Sequence, residues 1–600
     1  VYYFHRRSNL NVLKLTATKL TIKLIQKHKT FKIFRNVKCI YLSTLKIHHH
    51  INTSMATTTI PAPKPVIKTN TGALATLVLV FFFWGFIAAS NSIFIPFCRT
   101  FFKLSQFQSQ LIGSAFYVAY FVGSLALYLI SGALGYDILN KIGYKKGIIY
   151  GLCISIVGAL AIIPSANANS FPLILVSFFI VALGFSLQQT AAQPFAIALG
   201  DPATGSHRLN LAGGVNSLGT TLGPLIVSFF LFGTPSAANA NVTVTNVNNL
   251  YLIVAGVFGA VALFFLLSNL PDGKDDAKFE ASKKASGSLV LMTGLLIGVI
   301  IVGQLTNIDK LPLLIITLAG IVGILFSSYS RANKNGEGWG AMKYPQLILG
   351  MLGIFLYVGV EVTIDNNFGA LLKTPGYLTA AGLHDSEISA YISLYWGSLM
   401  IGRWTGAIGV FGLSKSGKTI ATVIVPFFAF GVVLLVNHIY GNNINDLLPY
   451  AVVIAIGVAA FLFGQQKPVK TLLTLSLLAA FAMVFGVLSH GIVSVYAFIA
   501  GGLCCSIMWP CIFSLGVAGL GKYTSQGSAF LIMMILGAAV IPPLQGSIGD
   551  IPVAGGGNNM HNSYLIAAAC FGALAFLAIR FKSVLKAQGL NFDEQIGGGH

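Results

Sequence analysis

From Met55 onward the chain is a succession of long apolar runs separated by short polar loops. The first six fall at 72–97, 110–134, 147–164, 171–199, 209–233 and 249–270. A charged stretch, Asp272–Lys284, separates them from two shorter runs at 288–304 and 311–328. Strong runs resume at 346–372 and 387–413, a pair follows at 419–437 and 447–464, and four more occupy 469–489, 491–520, 524–546 and 562–579. A spanning helix needs roughly 20 apolar residues, with about 17 as the lower limit. The pattern therefore predicts an all-α integral membrane protein of sixteen spans, or twelve plus two inserted hairpins. The predicted organisation is a first six-helix bundle over 55–271, a charged linker with an inserted hairpin over 272–345, a second bundle over 346–582 carrying another hairpin near 419–464, and a tail at 583–600.

One sequence pattern occurs twice. Pro194 and Pro510 are each followed by four residues and then Leu-Gly, at Leu199-Gly200 and Leu515-Gly516. A short polar loop later, Gly219-Thr-Thr-Leu-Gly-Pro224 is matched by Gly537-Ala-Ala-Val-Ile-Pro542. Two halves of a membrane protein on one plan are the parallel-repeat pattern of many secondary transporters.

Composition narrows the class. With 55% hydrophobic and 9% charged residues and a mean hydropathy of +0.79, the chain is far from a soluble protein, whose charged fraction is nearer a quarter. Its 65 glycines suit close helix packing, as at Gly219-xxx-Gly223 and Gly402-xxx-Gly406. The formal charge of +21 does not indicate a nucleic-acid partner, because residues 1–54 alone hold eleven Lys and Arg and no acid. That basic stretch precedes Met55 and reads as a non-native or disordered extension, with a targeting arm as the alternative. The seven cysteines show no metal spacing and are expected to be buried small hydrophobes.

Basic residues are retained on the cytoplasmic side of a membrane protein. Lys141, Lys145, Lys146, Arg208, Arg331, Lys334, Lys343, Lys415, Lys418, Lys467, Lys470 and Lys522 all fall in loops on one side. Both termini are therefore expected in the cytoplasm.

Polar groups inside spans are costly and usually have a role. The first half holds Asn91 and Ser92, then Gln188, Gln189, Thr190 and Gln193, then Asn210, Asn216 and Ser217; the second holds Glu361, Asp365, Asn366 and Asn367. Amides and hydroxyls suit a neutral polyol, and the faces of Trp84, Trp396 and Trp509 suit the C–H face of a sugar ring. Hydrogen bonding between helices is the competing use of the amides. Glu361 lies mid-run, where it can take a proton or ligate a cation. Asp365 follows one helical turn later on the same face. A structural salt bridge from Glu361 to Arg403 is the alternative, although Arg403 lies nearer the cytoplasmic end of its run and is expected to snorkel.

Several motifs carry a family resemblance. The loop Gly132-Ala-Leu-Gly-Tyr-Asp137-Ile-Leu-Asn-Lys141-Ile-Gly143-Tyr-Lys145-Lys146 resembles, with stretched spacing, the major facilitator motif between spans two and three. Ser114-Ala-Phe-Tyr117-Val-Ala-Tyr-Phe121, Thr190-Ala-Ala-Gln-Pro-Phe195, Arg208-Leu-Asn-Leu-Ala212 with Asn216-Ser217, Ile401-Gly-Arg-Trp-Thr-Gly406 and Pro510-Cys-Ile-Phe-Ser-Leu-Gly516 together look like the fucose permease and glucose/galactose transporter family. The resemblance covers 71–582. It implies two six-helix halves in a bacterial cytoplasmic membrane, a central sugar site and alternating access by rocking. The chain departs from the family where proton-coupled members carry an Asp and a Glu, having Ser92 and Gln189 instead.

These readings make the chain a non-enzymatic, monomeric secondary transporter of a hexose or related sugar, needing no cofactor but coupled to H+ or Na+. An uncoupled facilitator and a sugar sensor are the alternatives. No soluble signalling domain follows Met55, and the scattered histidines offer no catalytic cluster. The residues expected to bind sugar are Asn91, Gln188, Gln189, Gln193, Asn216, Glu361, Asn366, Trp396 and Trp509. Glu361 and Asp365 are expected to couple, and Asp137, Lys145, Lys146 and Arg403 to gate.

Overall fold

Each of the sixteen apolar runs coincides with a helix, or with two helices in line. The computed structural model describes residues 69–102, 106–232, 243–271, 282–305, 310–383, 385–464, 467–553 and 559–590. The basic stretch 1–54 lies outside the described residues. The first six long helices are α1 Thr71–Phe101, α2 Gln106–Leu134, α3 Tyr144–Asn167, α4 Phe171–Ala198, α5 Gly205–Phe232 and α6 Val244–Leu267. Then come α7 Lys283–Leu305 and α8 Lys310–Lys334, followed by α9 Pro345–Leu372, α10 Asp385–Ala407, α11 Lys415–Ile439 and α12 Ala451–Gly464. The last six are α13 Pro468–Leu488, α14 Gly491–Cys505, α15 Met508–Gly516, α16 Thr524–Met533, α17 Gly537–Gly549 and α18 Leu565–Ala587. Among the described residues, eleven helical segments are long and apolar enough to cross a membrane, and two shorter apolar helices accompany them.

The packing repeats with the sequence. In the first half α1 lies against α5, α3 against α4 and α6, and α2 against α4. In the second, α9 lies against α17, α13 against α14 and α18, and α10 against α14. The two repeated glycines explain the match. A Cβ on Gly219 would overlap the carbonyl oxygen of Phe82 on α1, and one on Gly537 would overlap that of Phe355 on α9. Only glycine lets the backbones meet this closely, and in a bilayer such packing is a main source of helix association.

The helices also differ from the sequence expectation in one respect. The run 491–520 is not one helix but α14 and α15, broken at Ser506 and Ile507. Pro510 has no N–H, and its ring excludes the carbonyl four residues back, which is that of Ser506. The Ser506 hydroxyl turns back to donate to the Leu503 carbonyl at 2.5 Å. The run 524–546 is likewise divided, by a tight turn at Met534–Leu536 between α16 and α17.

At one end of the bundle the two halves are tied together. The Ser525 hydroxyl donates to Asp137 Oδ1 at 3.0 Å, the Asn140 amide to the Lys522 carbonyl at 3.2 Å, and the Ser528 hydroxyl to the Thr190 carbonyl at 2.8 Å. Asp137 also caps the one-turn helix Ile138–Ile142 by accepting from the Asn140 N–H. A second seam joins α5 to α10, where the Trp404 indole donates to the Gly214 carbonyl at 3.1 Å and His207 Nδ1 lies 3.1 Å from the Gly406 carbonyl.

Candidate functional site

The centre of the molecule lies between α4 and α5 of the first half and α9, α10 and α15 of the second. Gln193 and Trp509 occupy the same place in the two sequence repeats, one residue before Pro194 and Pro510. In the fold they meet each other, with the indole Nε1 of Trp509 3.5 Å from Gln193 Oε1. Equivalent residues of two related halves can touch only near the axis that relates them. Trp509 stacks in turn on Phe513, with ring centroids 6.1 Å apart, and tilts against Tyr357.

Helix α9 contributes the charges, and it is buried over most of its length. Arg403 Nη2 lies 3.2 Å from Glu361 Oε1, and the Tyr357 hydroxyl donates to the same oxygen at 2.8 Å. The Tyr395 hydroxyl donates to the Glu361 backbone carbonyl at 2.6 Å. Arg403 does not snorkel, as the sequence suggested; its guanidinium points inward, because Glu361 is buried and a buried carboxylate needs a paired charge. Through its other nitrogen, Nη1, it donates to the Ser217 hydroxyl on α5 at 2.8 Å, so the ion pair also reaches the opposite half.

Asp365, one turn from Glu361, is placed differently. Its Oδ1 accepts from the Trp396 indole at 3.0 Å, and among the described residues it has no cationic partner. The neighbouring Asn366 is exposed, rotated off this face.

The amides of the first half divide. Gln189 donates to the Tyr120 hydroxyl at 2.9 Å and remains partly accessible. Gln188 is fully buried: it accepts from the Trp84 indole at 2.7 Å and donates to Ser155 at 3.1 Å, all within its own half. Asn216 donates to the Phe81 carbonyl on α1 at 2.9 Å, which ties α5 to α1. Asn91 and Ser92 lie on α1 with side chains outside the described residues.

Of the basic residues, Lys145 donates to the carbonyls of Leu266 and Ser268 at 3.2 and 2.8 Å, capping α6 of its own half, and Lys146 is exposed. Arg208 is buried against the end of α4, where it donates to the carbonyls of Ala196, Ile197 and Asp201. A cation at a helix C-terminus is a favourable structural arrangement. Tyr357 and Tyr395, which hold Glu361, were not singled out in the sequence, although Tyr357 stands four residues before Glu361 on the same helical face.

The comparisons agree with this architecture. No family model matches the chain. The glucose/galactose transporter of Brucella abortus biovar 1 (strain 9-941) is 28% identical over 507 residues, which cover 84% of this chain and 93% of that protein. The L-fucose-proton symporter of Escherichia coli strain K12 is 28% identical over 520 residues, covering 85% and 92%. Crystal structures of the E. coli fucose:proton symporter, one of them in an outward conformation, match with a TM-score of 0.56 and 22% identity, covering 85% of this chain and 98% of theirs. The fold is that of a major facilitator transporter, an integral membrane protein of many spans. Over most of its length the chain is similar to the glucose/galactose transporters and the fucose-proton symporters.

Proposed function

We propose that the protein carries a hexose or related sugar across the membrane by alternating access, with its central site between α4, α9, α10 and α15. The observation that carries this reading is the meeting of Gln193 and Trp509 on the midline between the halves. An amide and an indole face there, with Gln189 one turn before Gln193 on α4, supply donors, acceptors and an apolar platform for a sugar ring. The names of the relatives point to the same substrate class. The end tied by Asp137 and Ser525 is taken as the cytoplasmic gate, with both termini on that side, and the state as open to the other. We take α7–α8 and α11–α12 as hairpins added to a twelve-helix core whose halves run over 55–271 and 346–582, and the transporter as a monomer.

The transport is proposed to be proton-coupled, with Asp365 rather than Glu361 as the coupling group. Arg403 already balances the charge of Glu361, which needs no further cation to stay buried. Asp365 has only a neutral indole as donor, and that indole belongs to a residue proposed to face the sugar. Proton occupancy and sugar contact would then be linked through Trp396, as coupling requires of two ligands that bias one conformational equilibrium. The balanced charge of Glu361 also supports a second reading, an uncoupled facilitator.

Uptake of labelled glucose, galactose and fucose into proteoliposomes under imposed pH or sodium gradients tests both. We expect saturable uptake of at least one sugar and accumulation with an inward proton gradient. Asp365→Asn should keep sugar exchange and lose accumulation. Equilibration without accumulation under either gradient would leave the facilitator, and no saturable uptake of any of the three would refute sugar transport.

A further inference from the structure

The feet of the α7–α8 hairpin are built into the seam between the two halves. Ser282 and Ser286 begin the hairpin, and Gly338 to Met342 end it; the feet join where the Lys284 N–H donates to the Gly338 carbonyl at 3.0 Å. On the first half, the Tyr128 hydroxyl of α2 donates to the Ser282 carbonyl at 3.2 Å and lies 3.1 Å from the Ser286 hydroxyl. On the second half, Gln526 of α16 donates to the Ser282 hydroxyl at 3.3 Å, and its Oε1 accepts from the Ala341 N–H at 2.6 Å. Gln526, Trp339, Ala341 and Met342 are all buried.

The fit is tight enough to constrain the sequence. Gly340 has φ +54°, and a Cβ there would overlap Ser282 Oγ and crowd Gln526 Oε1. Beneath the feet, Tyr128 and Phe530 make an edge-to-face ring contact at 4.8 Å between the halves. The bonds from Ser525 to Asp137 and from Ser528 to Thr190 lie on the same helix, α16.

We infer that the base of the α7–α8 hairpin is a strap across the closed end, holding α2 and α16 together and biasing the protein toward the state in which that end is shut. Opening this end parts α2 from α16, so the strap must release either Tyr128 or Gln526. Either release breaks two hydrogen bonds that exist only in the closed arrangement, and contacts made in one state alone shift the population toward that state. The inference rests on the alternating-access reading, but its test uses no sugar, so the two can fail separately.

The reporter is Cys511, buried between the halves near His207 and Asn210. With the other cysteines replaced, its rate of labelling by a small maleimide measures opening of this end. Tyr128→Phe removes both bonds to the first half while keeping the ring against Phe530, and we expect it to speed labelling by roughly fivefold or more. Gly340→Ala, which displaces the foot, should act in the same direction. Ser328→Ala breaks a bond to Ser288 inside the hairpin, 2.9 Å long, without touching the feet, and should leave the rate unchanged. An unchanged rate in folded Tyr128→Phe would overturn the strap, as would an equal increase in Ser328→Ala.

Discussion

The two halves share a backbone plan, but Gln188 and Asn216 of the first are used differently from Glu361 of the second. In the first half Gln188 and Asn216 find partners inside the half, on Trp84, Ser155 and Phe81, and act as glue between helices. In the second, Glu361 pairs with Arg403, whose other nitrogen donates to Ser217 across the boundary between the halves. The difference teaches that a polar side chain in a spanning helix is not by itself a site. What decides is whether its partner lies in the same half or in the other one.

The largest expected effect tests the charged side of that comparison. Arg403→Met leaves Glu361 buried without its cation and should cost about 3–5 kcal/mol, seen as a fall in the thermal unfolding midpoint in detergent. Adding Glu361→Gln should recover most of the loss. Next comes the shared packing: Gly219→Ala and Gly537→Ala should each destabilise by about 1–3 kcal/mol, by similar amounts if the two halves are built alike. Unfolding midpoints that differ widely would break the equivalence.

Gln188 and Gln189, adjacent on α4, separate glue from site more finely. Gln188→Ala strands the Trp84 and Ser155 groups and should lower stability by about 1–3 kcal/mol with the KM for sugar unchanged. Gln189→Ala should leave the unfolding midpoint in place and raise KM by roughly fivefold, about 1 kcal/mol of lost hydrogen bonding. Asn216→Ala belongs with Gln188. Asp137→Asn, the smallest change, weakens one bond to Ser525 and should modestly raise accessibility at the closed end without altering KM.

Much of the fold was legible because apolar runs in a bilayer admit few alternatives to helices. The repeats at Pro194 and Pro510, and at Gly219 and Gly537, mark equivalent positions in the two halves. The break before Pro510 was not legible, since Pro194 sits within the unbroken helix α4 and the two motifs read alike. Nor was the division of α4 into a buried Gln188 and an accessible Gln189. The helical wheel separates their directions by one residue, but only the placement of α1 and α3 says which direction is glue. The pairing of Arg403 with Glu361 is one of two alternatives the sequence leaves open, and the burial of Glu361 favours it because an unpaired charge at that depth is too costly.

The central claim is that the seam between the halves must open in every transport cycle. Cysteines at Asn140→Cys and Lys522→Cys, with Cys153 replaced, would sit where the Asn140 amide now meets the Lys522 carbonyl at 3.2 Å. Oxidation should cross-link them and abolish sugar uptake into proteoliposomes, and reduction should restore it. Uptake at the full rate with the cross-link intact would contradict the account.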